Sequence, residues 1–292
     1  MPDGMLHGYP ADQLEWQLNP SVSIPNHEEL GAVGRQRAAA YRAQARNTHF
    51  DISYGSRPRE ALDLYLPDNP VGAPVEIYIH GGYWRRRSKD DSCYLAEQVA
   101  KAGAISAMVD YELCPNVTLD EIVREMRACC AWVYRNIGRY GGDPNRIHLS
   151  GNSAGGHLVA MMLATDFPAA APDLPKNLVK SAVPISGIFD CRPVVDTSLN
   201  ADIRLDPDMA RRNSPLFLPP VARCPVVVAV GGAETDEFRR QSRALIEAWS
   251  PHGLPMEYLE VPGANHTTVV TETDARGHPL MEARLRLMGV GG

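Results

Sequence analysis

The sequence lacks the features of a membrane or nucleic-acid-binding protein. It has no apolar run near the length of about 18 residues that a membrane-spanning helix needs. Its 29 Lys and Arg residues are outnumbered by 35 Asp and Glu residues, giving a net charge of −6, whereas nucleic-acid binders are usually basic. The first twenty residues contain no apolar segment typical of a signal peptide. We therefore expect no membrane or nucleic-acid partner and a cytoplasmic location.

The six cysteines also lack the spacing of a metal site or a disulfide framework. No C-x-x-C pair occurs, and such pairs mark most zinc sites. Cys129 and Cys130 are adjacent within an apolar helical pattern. We expect buried, reduced thiols, with no metal and no cofactor.

What the sequence does contain is an alternation of strand and helix patterns. Strands are predicted over 48–54, 61–66, 75–79, 104–109, 146–150, 181–185, 225–230 and 256–261. Helices are predicted over 90–102, 118–138, 156–165, 236–250 and 279–288. Such alternation favours a mostly parallel sheet covered by helices on both faces, an α/β fold.

Two segments do not fit this alternation. Residues 1–46 are polar, with helical Ala- and Arg-rich stretches, and predict an N-terminal appendage or cap on a catalytic domain over 47–292. Residues 187–222 contain several prolines and a helical patch over 206–213, and predict a cap insertion above the sheet.

The strongest chemical motif is G-N-S-A-G over residues 151–155. It fits G-x-S-x-G and lies between a predicted strand and a predicted helix, the context in which the motif forms a nucleophile elbow. The tight turn exposes the serine oxygen, and the following helix N-terminus favours developing negative charge. We predict that Ser153 is a nucleophile.

A serine nucleophile needs a base and an acid to orient that base. In this strand–helix order both follow the nucleophile, the acid first. His266 follows the last strand directly, whereas His278 precedes Pro279 and suits a helix cap. Glu234 follows the penultimate strand, with Asp236 as the alternative acid, because Asp236 is also placed to begin a helix.

The segment H-G-G-Y-W over 80–84 follows another strand, at the position that supplies oxyanion-hole donors in lipases and esterases. Glycine lets a backbone approach the substrate closely. We predict oxyanion donors at the N–H groups of Gly82, Tyr83 and Ala154. Tyr83 and Trp84 could line the substrate pocket or simply pack the loop down.

Taken together, HGGYW, VDYELCP, GGDPNRIHLSGNSAGGH, GGAETDEF and GANH resemble α/β-hydrolases related to kynurenine formamidase and the hormone-sensitive-lipase-like carboxylesterases. The resemblance runs from about residue 48 to residue 270. It implies a metal-free site in which serine, an acidic residue and histidine correspond to Ser153, Glu234 and His266, beside the Gly82-Tyr83 loop. Related proteins commonly have histidine where this chain has Asn152.

Other residues could shape the pocket. Asn152 flanks the nucleophile, Trp84 follows the oxyanion loop, and Ile188 and Phe189 follow a strand end that faces the predicted site. The cluster Arg85-Arg86-Arg87 could hold an acidic substrate, but we interpret it as solvated surface charge.

These residues predict a serine carboxylesterase that cleaves a small ester through an acyl-enzyme. The alternative is an arylformamidase acting on an aryl formamide such as N-formylkynurenine. A non-catalytic binding module and an acyltransferase are further alternatives. The expected partner is a small-molecule ester or formamide substrate, and a homodimer stays open.

Overall fold

The computed structural model describes residues 5–272 and 275–291. Its strands are β1 (Met5–Leu6), β2 (Tyr9–Pro10), β3 (Thr48–Ser53), β4 (Ala61–Tyr65), β5 (Ala73–Ile79), β6 (Ile105–Val109), β7 (Gly142–Asn152), β8 (Val179–Ile185), β9 (Val226–Gly231) and β10 (Met256–Val261). β1 and β2 form a separate two-stranded pair, which the sequence pattern did not predict. The other eight form one sheet in the order β10-β9-β8-β7-β5-β6-β4-β3. The neighbours from β10 to β6 are parallel, whereas β4 pairs antiparallel with both β6 and β3, so the predicted α/β class is confirmed.

Along the chain, the helices mainly alternate with the strands, as the sequence pattern predicts. They are α1 (Ala11–Leu18), α2 (Pro20–Ser23), α3 (His27–Gln44), α4 (Ala96–Lys101), α5 (Leu119–Asn136), α6 (Ala154–Leu163), α7 (Phe167–Ala170), α8 (Asn200–Ile203), α9 (Pro207–Arg212), α10 (Asp236–Trp249), α11 (Thr268–Thr271) and α12 (Pro279–Met288). Short 3-10 helices occupy Lys89–Leu95, Ile137–Tyr140, Arg192–Asp196, Pro215–Phe217 and Ser250–His252. The single helix predicted over 90–102 is therefore a 3-10 helix followed by α4.

Burial on both faces of the sheet explains why the central strands are mostly runs of apolar residues. Every residue of β5, β6 and β9 is buried, as expected for parallel strands covered on both faces. The edge strand β10 is only partly buried. The six cysteines are buried, as predicted.

A buried ion pair links the sheet to α12. The guanidinium of Arg284 donates to both carboxylate oxygens of Glu76 at 2.8 and 2.7 Å, and Ser150 Oγ donates to Glu76 at 2.7 Å. Glu76 lies on β5 and Ser150 on β7. These contacts satisfy a carboxylate that would otherwise be costly to bury.

The two segments outside the alternation pack against the rest of the chain. In the N-terminal segment, α1 contacts the start of α10, where Gln17 Oε1 accepts the Glu237 N–H at 3.1 Å. In the segment 187–222, the apolar side chains of Val194, Leu199 and Ile203 are buried in the same hydrophobic core as the central strands. No helix in the described ranges is long and apolar enough to cross a membrane.

Candidate active site

Ser153 occupies the turn between β7 and α6. Its backbone has φ 56 and ψ −118, a conformation that costs energy for a non-glycine residue and is typical of functional sites. The flanking glycines make the turn possible: a Cβ on Gly155 would lie 1.9 Å from the Ile79 carbonyl oxygen, and one on Gly151 would lie 2.7 Å from the same atom. Gly151 and Gly155 therefore let the strand, turn and helix pack closely beneath Ser153.

His266 and Glu234 form a hydrogen-bonded pair at the carboxyl end of the sheet. His266 lies just beyond β10 and Glu234 just beyond β9, and Nδ1 of His266 is 2.6 Å from Oε2 of Glu234. The Glu234 side chain is fully buried, and Oε1 accepts a hydrogen bond from Ser186 Oγ and one of 2.7 Å from the Gly231 N–H. The carboxylate thus accepts hydrogen bonds from Ser186 and Gly231 and contacts the imidazole of His266.

Ser153 and His266 lie on the wall of one cavity. Gly81, Gly82 and Tyr83, of the segment predicted to supply oxyanion donors, lie on the same wall, and so does Asn152. The remaining lining residues are Pro20, His27, Gly31, Gly34, Arg86, Arg87, Asp91, Ser92, Tyr94, Thr267, Val270 and Thr271. The cavity therefore lies between the N-terminal helices and segments that follow β5, β7 and β10.

The H-G-G-Y-W segment lies directly against Ser153. A Cβ on Gly81 would lie 3.1 Å from the Ser153 Cβ. Tyr83 and Trp84 both have positive φ values, 51 and 56. Within the described ranges, the backbone N–H groups of Gly82 and Tyr83 donate to no protein acceptor. They can therefore donate to a ligand.

His80 anchors this loop through a contact that the sequence reasoning did not assign. Its Nε2 is 3.0 Å from Asp110 Oδ1, and its ring stacks on Tyr111 with centroids 4.3 Å apart. Asp110 also accepts a 2.5 Å hydrogen bond from Arg59. Asp110 follows β6 at the same sheet edge as the other site residues, which is the signal that could have identified it.

Three of the four pocket candidates lie elsewhere. Asn152 lies on the cavity wall, where its Oδ1 accepts from Tyr78 Oη at 3.1 Å. Trp84, Ile188 and Phe189 are instead completely buried in the main hydrophobic core. The ring of Trp84 packs edge-on against His157, 4.8 Å away. The chain turns these large apolar groups inward, so the prediction that they line the pocket is corrected.

The alternative residues considered for the acid and the base lie outside the cavity. Asp236 is the first residue of α10, is largely exposed and pairs with Arg239 at 2.5 Å. His278 caps α12, since its Nδ1 accepts the Leu280 N–H at 3.2 Å. Both residues therefore lie at helix N-termini, the positions that the sequence analysis gave as the alternative to a catalytic role.

The sequence reasoning missed several residues of the cavity wall. Arg86 and Arg87 line it, so the interpretation of the whole arginine cluster as solvated surface charge is wrong. His27 of α3 also lines it, and its Nδ1 lies 3.0 Å from Thr267 Oγ1. Ser186, which donates to Glu234, has a positive φ of 49. Its place at the end of β8, beside β9, could have indicated it.

In the part of the chain that the structure describes, no group of three or more His, Cys, Asp or Glu side chains is arranged to hold a metal ion.

The chain is similar over most of its length to known hydrolases. The BD-FAE family profile matches residues 62–247. The chain is 32% identical to kynurenine formamidase from Danio rerio, over 95% of this chain and 96% of the relative. It is 30% identical to the esterase LipQ from Mycobacterium tuberculosis, over 99% of this chain and 74% of the relative.

Among solved structures, a candidate thioesterase from Silicibacter sp. superposes with a TM-score of 0.81 at 29% identity, covering 93% of this chain and 98% of that one. The chain is a hydrolase and belongs to the BD-FAE family, in the kynurenine formamidase and hormone-sensitive-lipase-like branch of the α/β-hydrolases.

Proposed function

We propose that the protein is a serine carboxylesterase that hydrolyses a small carboxylic ester through an acyl-enzyme. The observation that carries the proposal is the cavity shared by Ser153, on a strained turn, and His266, whose Nδ1 is held by the buried Glu234. With Nδ1 occupied by the carboxylate, Nε2 is the nitrogen left to accept the serine proton.

In the first step, Ser153 Oγ forms a bond to the substrate carbonyl carbon while His266 takes the hydroxyl proton. The carbonyl oxygen becomes an oxyanion that accepts hydrogen bonds from the N–H groups of Gly82, Tyr83 and Ala154. The bond to the leaving group then breaks, and His266 gives its proton to the departing oxygen. Glu234 stabilises the intervening imidazolium.

In the second step, water attacks the acyl-enzyme carbonyl and gives its proton to His266. The bond to Ser153 breaks, His266 returns the proton to the serine oxygen, and the carboxylic acid leaves. Free serine is a weak nucleophile, so each step depends on the histidine acting first as base and then as acid.

A second candidate is the hydrolysis of an aryl formamide. It is supported by the similarity over nearly the full length to a kynurenine formamidase. The same groups would act in the same order, with a C–N bond breaking in place of a C–O bond. The two candidates differ only in the leaving group and the acyl size.

The test compares initial rates on p-nitrophenyl acetate, p-nitrophenyl octanoate and N-formylkynurenine for the wild-type protein and Ser153→Ala. Short-ester cleavage that is lost in Ser153→Ala supports the carboxylesterase. A formamide rate well above both ester rates moves the assignment to the second candidate. Serine-independent turnover, or no labelling of Ser153 by a fluorophosphonate, would contradict both.

A further inference from the structure

Three consecutive arginines, Arg85, Arg86 and Arg87, have three different environments. The side chain of Arg85 pairs with Asp202, away from the cavity. Arg86 lines the cavity and donates to Ser21 Oγ at 2.9 Å. Arg87 also lines the cavity, and its side chain pairs with no carboxylate within residues 5–272 and 275–291. Two guanidinium groups therefore share a wall with the nucleophile.

The acidic groups near this wall are already engaged. Asp91 is the carboxylate that lines the cavity, and its Oδ2 accepts the Ser88 N–H at 2.9 Å in a helix capping box. Glu28, at the start of α3, pairs with Arg35 at 2.6 Å. The cavity wall thus carries two guanidinium groups, of Arg86 and Arg87, against the one carboxylate of Asp91, so its charge is positive on balance.

The neighbouring histidine adds no charge near neutral pH. Burial, followed by the charges of Arg87 and Arg86, lowers the pKa of His27 to about 4. Burial also lowers the pKa of Arg86, although an arginine side chain stays protonated in proteins. A half-buried guanidinium without a counter-ion is costly, and a ligand anion would offset that cost.

The position of Arg87 is fixed relative to the oxyanion loop. Its backbone has a positive φ of 74, and its carbonyl oxygen accepts from Arg59 at 2.6 Å. Arg59 also donates to Asp110, which contacts His80 at the start of that loop. On the other side, a Cβ on Gly31 would lie 3.4 Å from the Arg87 guanidinium, so α3 packs close beside it.

We propose that Arg86 and Arg87 bind a carboxylate carried by the substrate, so that the enzyme selects anionic acyl compounds over neutral ones of the same shape. This rests on the proposed function. A carboxylate is the anion we assign, because it is planar and matches the flat donor fork of a guanidinium. The two arginines are specificity-determining residues, separate from the groups that perform the acyl transfer.

The test uses two matched substrate pairs, because the carboxylate can lie on either side of the scissile bond. The first pair is meta-acetoxybenzoate and its methyl ester, with the charge on the leaving group. The second is p-nitrophenyl hydrogen adipate and p-nitrophenyl methyl adipate, with the charge on the acyl group. For each pair, the ratio of kcat/KM for the anionic to the neutral substrate is measured in wild type, Arg87→Met, Arg86→Met and Arg85→Met.

Arg85→Met is the matched control, since it removes an adjacent arginine that is not on the cavity wall. In at least one pair, Arg87→Met and Arg86→Met should each lower the anionic-to-neutral ratio by about 10- to 100-fold, the effect of a lost charge-assisted hydrogen bond. Rates on the neutral partner report folding and an intact acyl-transfer site. Unchanged ratios in both pairs, or equal losses for the anionic and neutral substrates, would overturn the proposal.

A binding measurement separates this proposal from the catalytic one. Calorimetric titration of Ser153→Ala with the anionic and the neutral member of each pair requires no turnover. Tighter binding of an anion than of its ester, lost when Arg87→Met is added, supports the arginine site even if wild type hydrolyses none of these esters. Equal affinity for the anionic and neutral members of both pairs overturns it.

Discussion

The Nδ1 atom of His266 lies 2.6 Å from Oε2 of Glu234, whereas Asp236, two residues further along, pairs with Arg239 at the surface. We therefore expect Glu234→Gln to lower kcat by about 10⁴-fold, the loss seen when a triad carboxylate becomes an amide. Asp236→Asn is the matched control and should keep a rate near that of wild type. Steady-state kinetics on one activated ester measure both, and greater damage from Asp236→Asn would contradict the assignment.

The contact between His80 and Asp110 leads to a second prediction. Asp110→Asn removes the charge that holds His80 and Arg59, so the oxyanion loop should shift relative to Ser153. A displacement of about 1 Å at such a site can cost about 100-fold in rate. We expect kcat to fall by about 10- to 100-fold with a smaller change in KM.

Asp190→Asn is a suitable control for this loss, because Asp190 is also buried and pairs with an arginine, Arg192, at 2.8 Å. It lies outside the loop and should leave kcat near the wild-type value. Equal losses in Asp110→Asn and Asp190→Asn would show that the effect comes from general destabilisation.

The buried pair of Glu76 and Arg284 leads to a prediction about stability. Arg284→Met leaves the Glu76 carboxylate buried without its counter-charge, which typically costs about 3–5 kcal/mol. Urea unfolding should show this loss, while the double variant Glu76→Gln/Arg284→Met should recover part of it. If the double variant loses as much free energy of unfolding as Glu76→Gln and Arg284→Met lose together, the result would argue against the pairing.

The buried histidines predict how stability depends on pH. Burial lowers the pKa of His157 to about 4, and burial likewise lowers that of His148 to about 4. Between pH 6.5 and 4 the unfolded chain binds protons that the folded chain does not bind, so the free energy of unfolding should decrease as the pH falls through this window. Above pH 6.5 the free energy of unfolding no longer changes with pH through these two histidines.

His157→Gln provides the measurement. Glutamine keeps an N–H that can donate to the Asn213 carbonyl, which lies 2.7 Å from Nε2 of His157, but it does not titrate. Denaturant unfolding at several pH values should show a slope smaller by about 1.4 kcal/mol per pH unit within the window. The same slope in both proteins would contradict the depressed pKa.

The strands and the local motifs could be predicted because their signals are local in the sequence. The apolar runs of β5 and β9 follow from burial on both faces, and the glycines around Ser153 follow from the tight turn. The directions of Trp84, Ile188 and Phe189 could not be predicted. These directions depend on where the hydrophobic core lies relative to the loop, and packing between residues distant in sequence determines that.

The arginine cluster shows the same limit at the candidate site. Three adjacent arginines look equivalent in sequence, yet only two of them face the cavity. The difference arises from partners far along the chain, Asp202 for Arg85 and Ser21 for Arg86. The N-terminal helices were expected to pack on the catalytic domain, but no local pattern indicated that His27 and Gly31 would lie on the cavity wall.

The N-terminal helices have a further consequence when the chain is synthesised. His27 contacts Thr267 across 240 residues, and Gln17 contacts Glu237 across 220. At the usual speed of translation, α1 to α3 leave the ribosome about 10 to 50 s before the segments that they contact. The wall that they form can close only after those segments emerge, so a nascent chain carries Ser153 before it has a complete cavity. The cavity can therefore be complete only after Thr267 has left the ribosome.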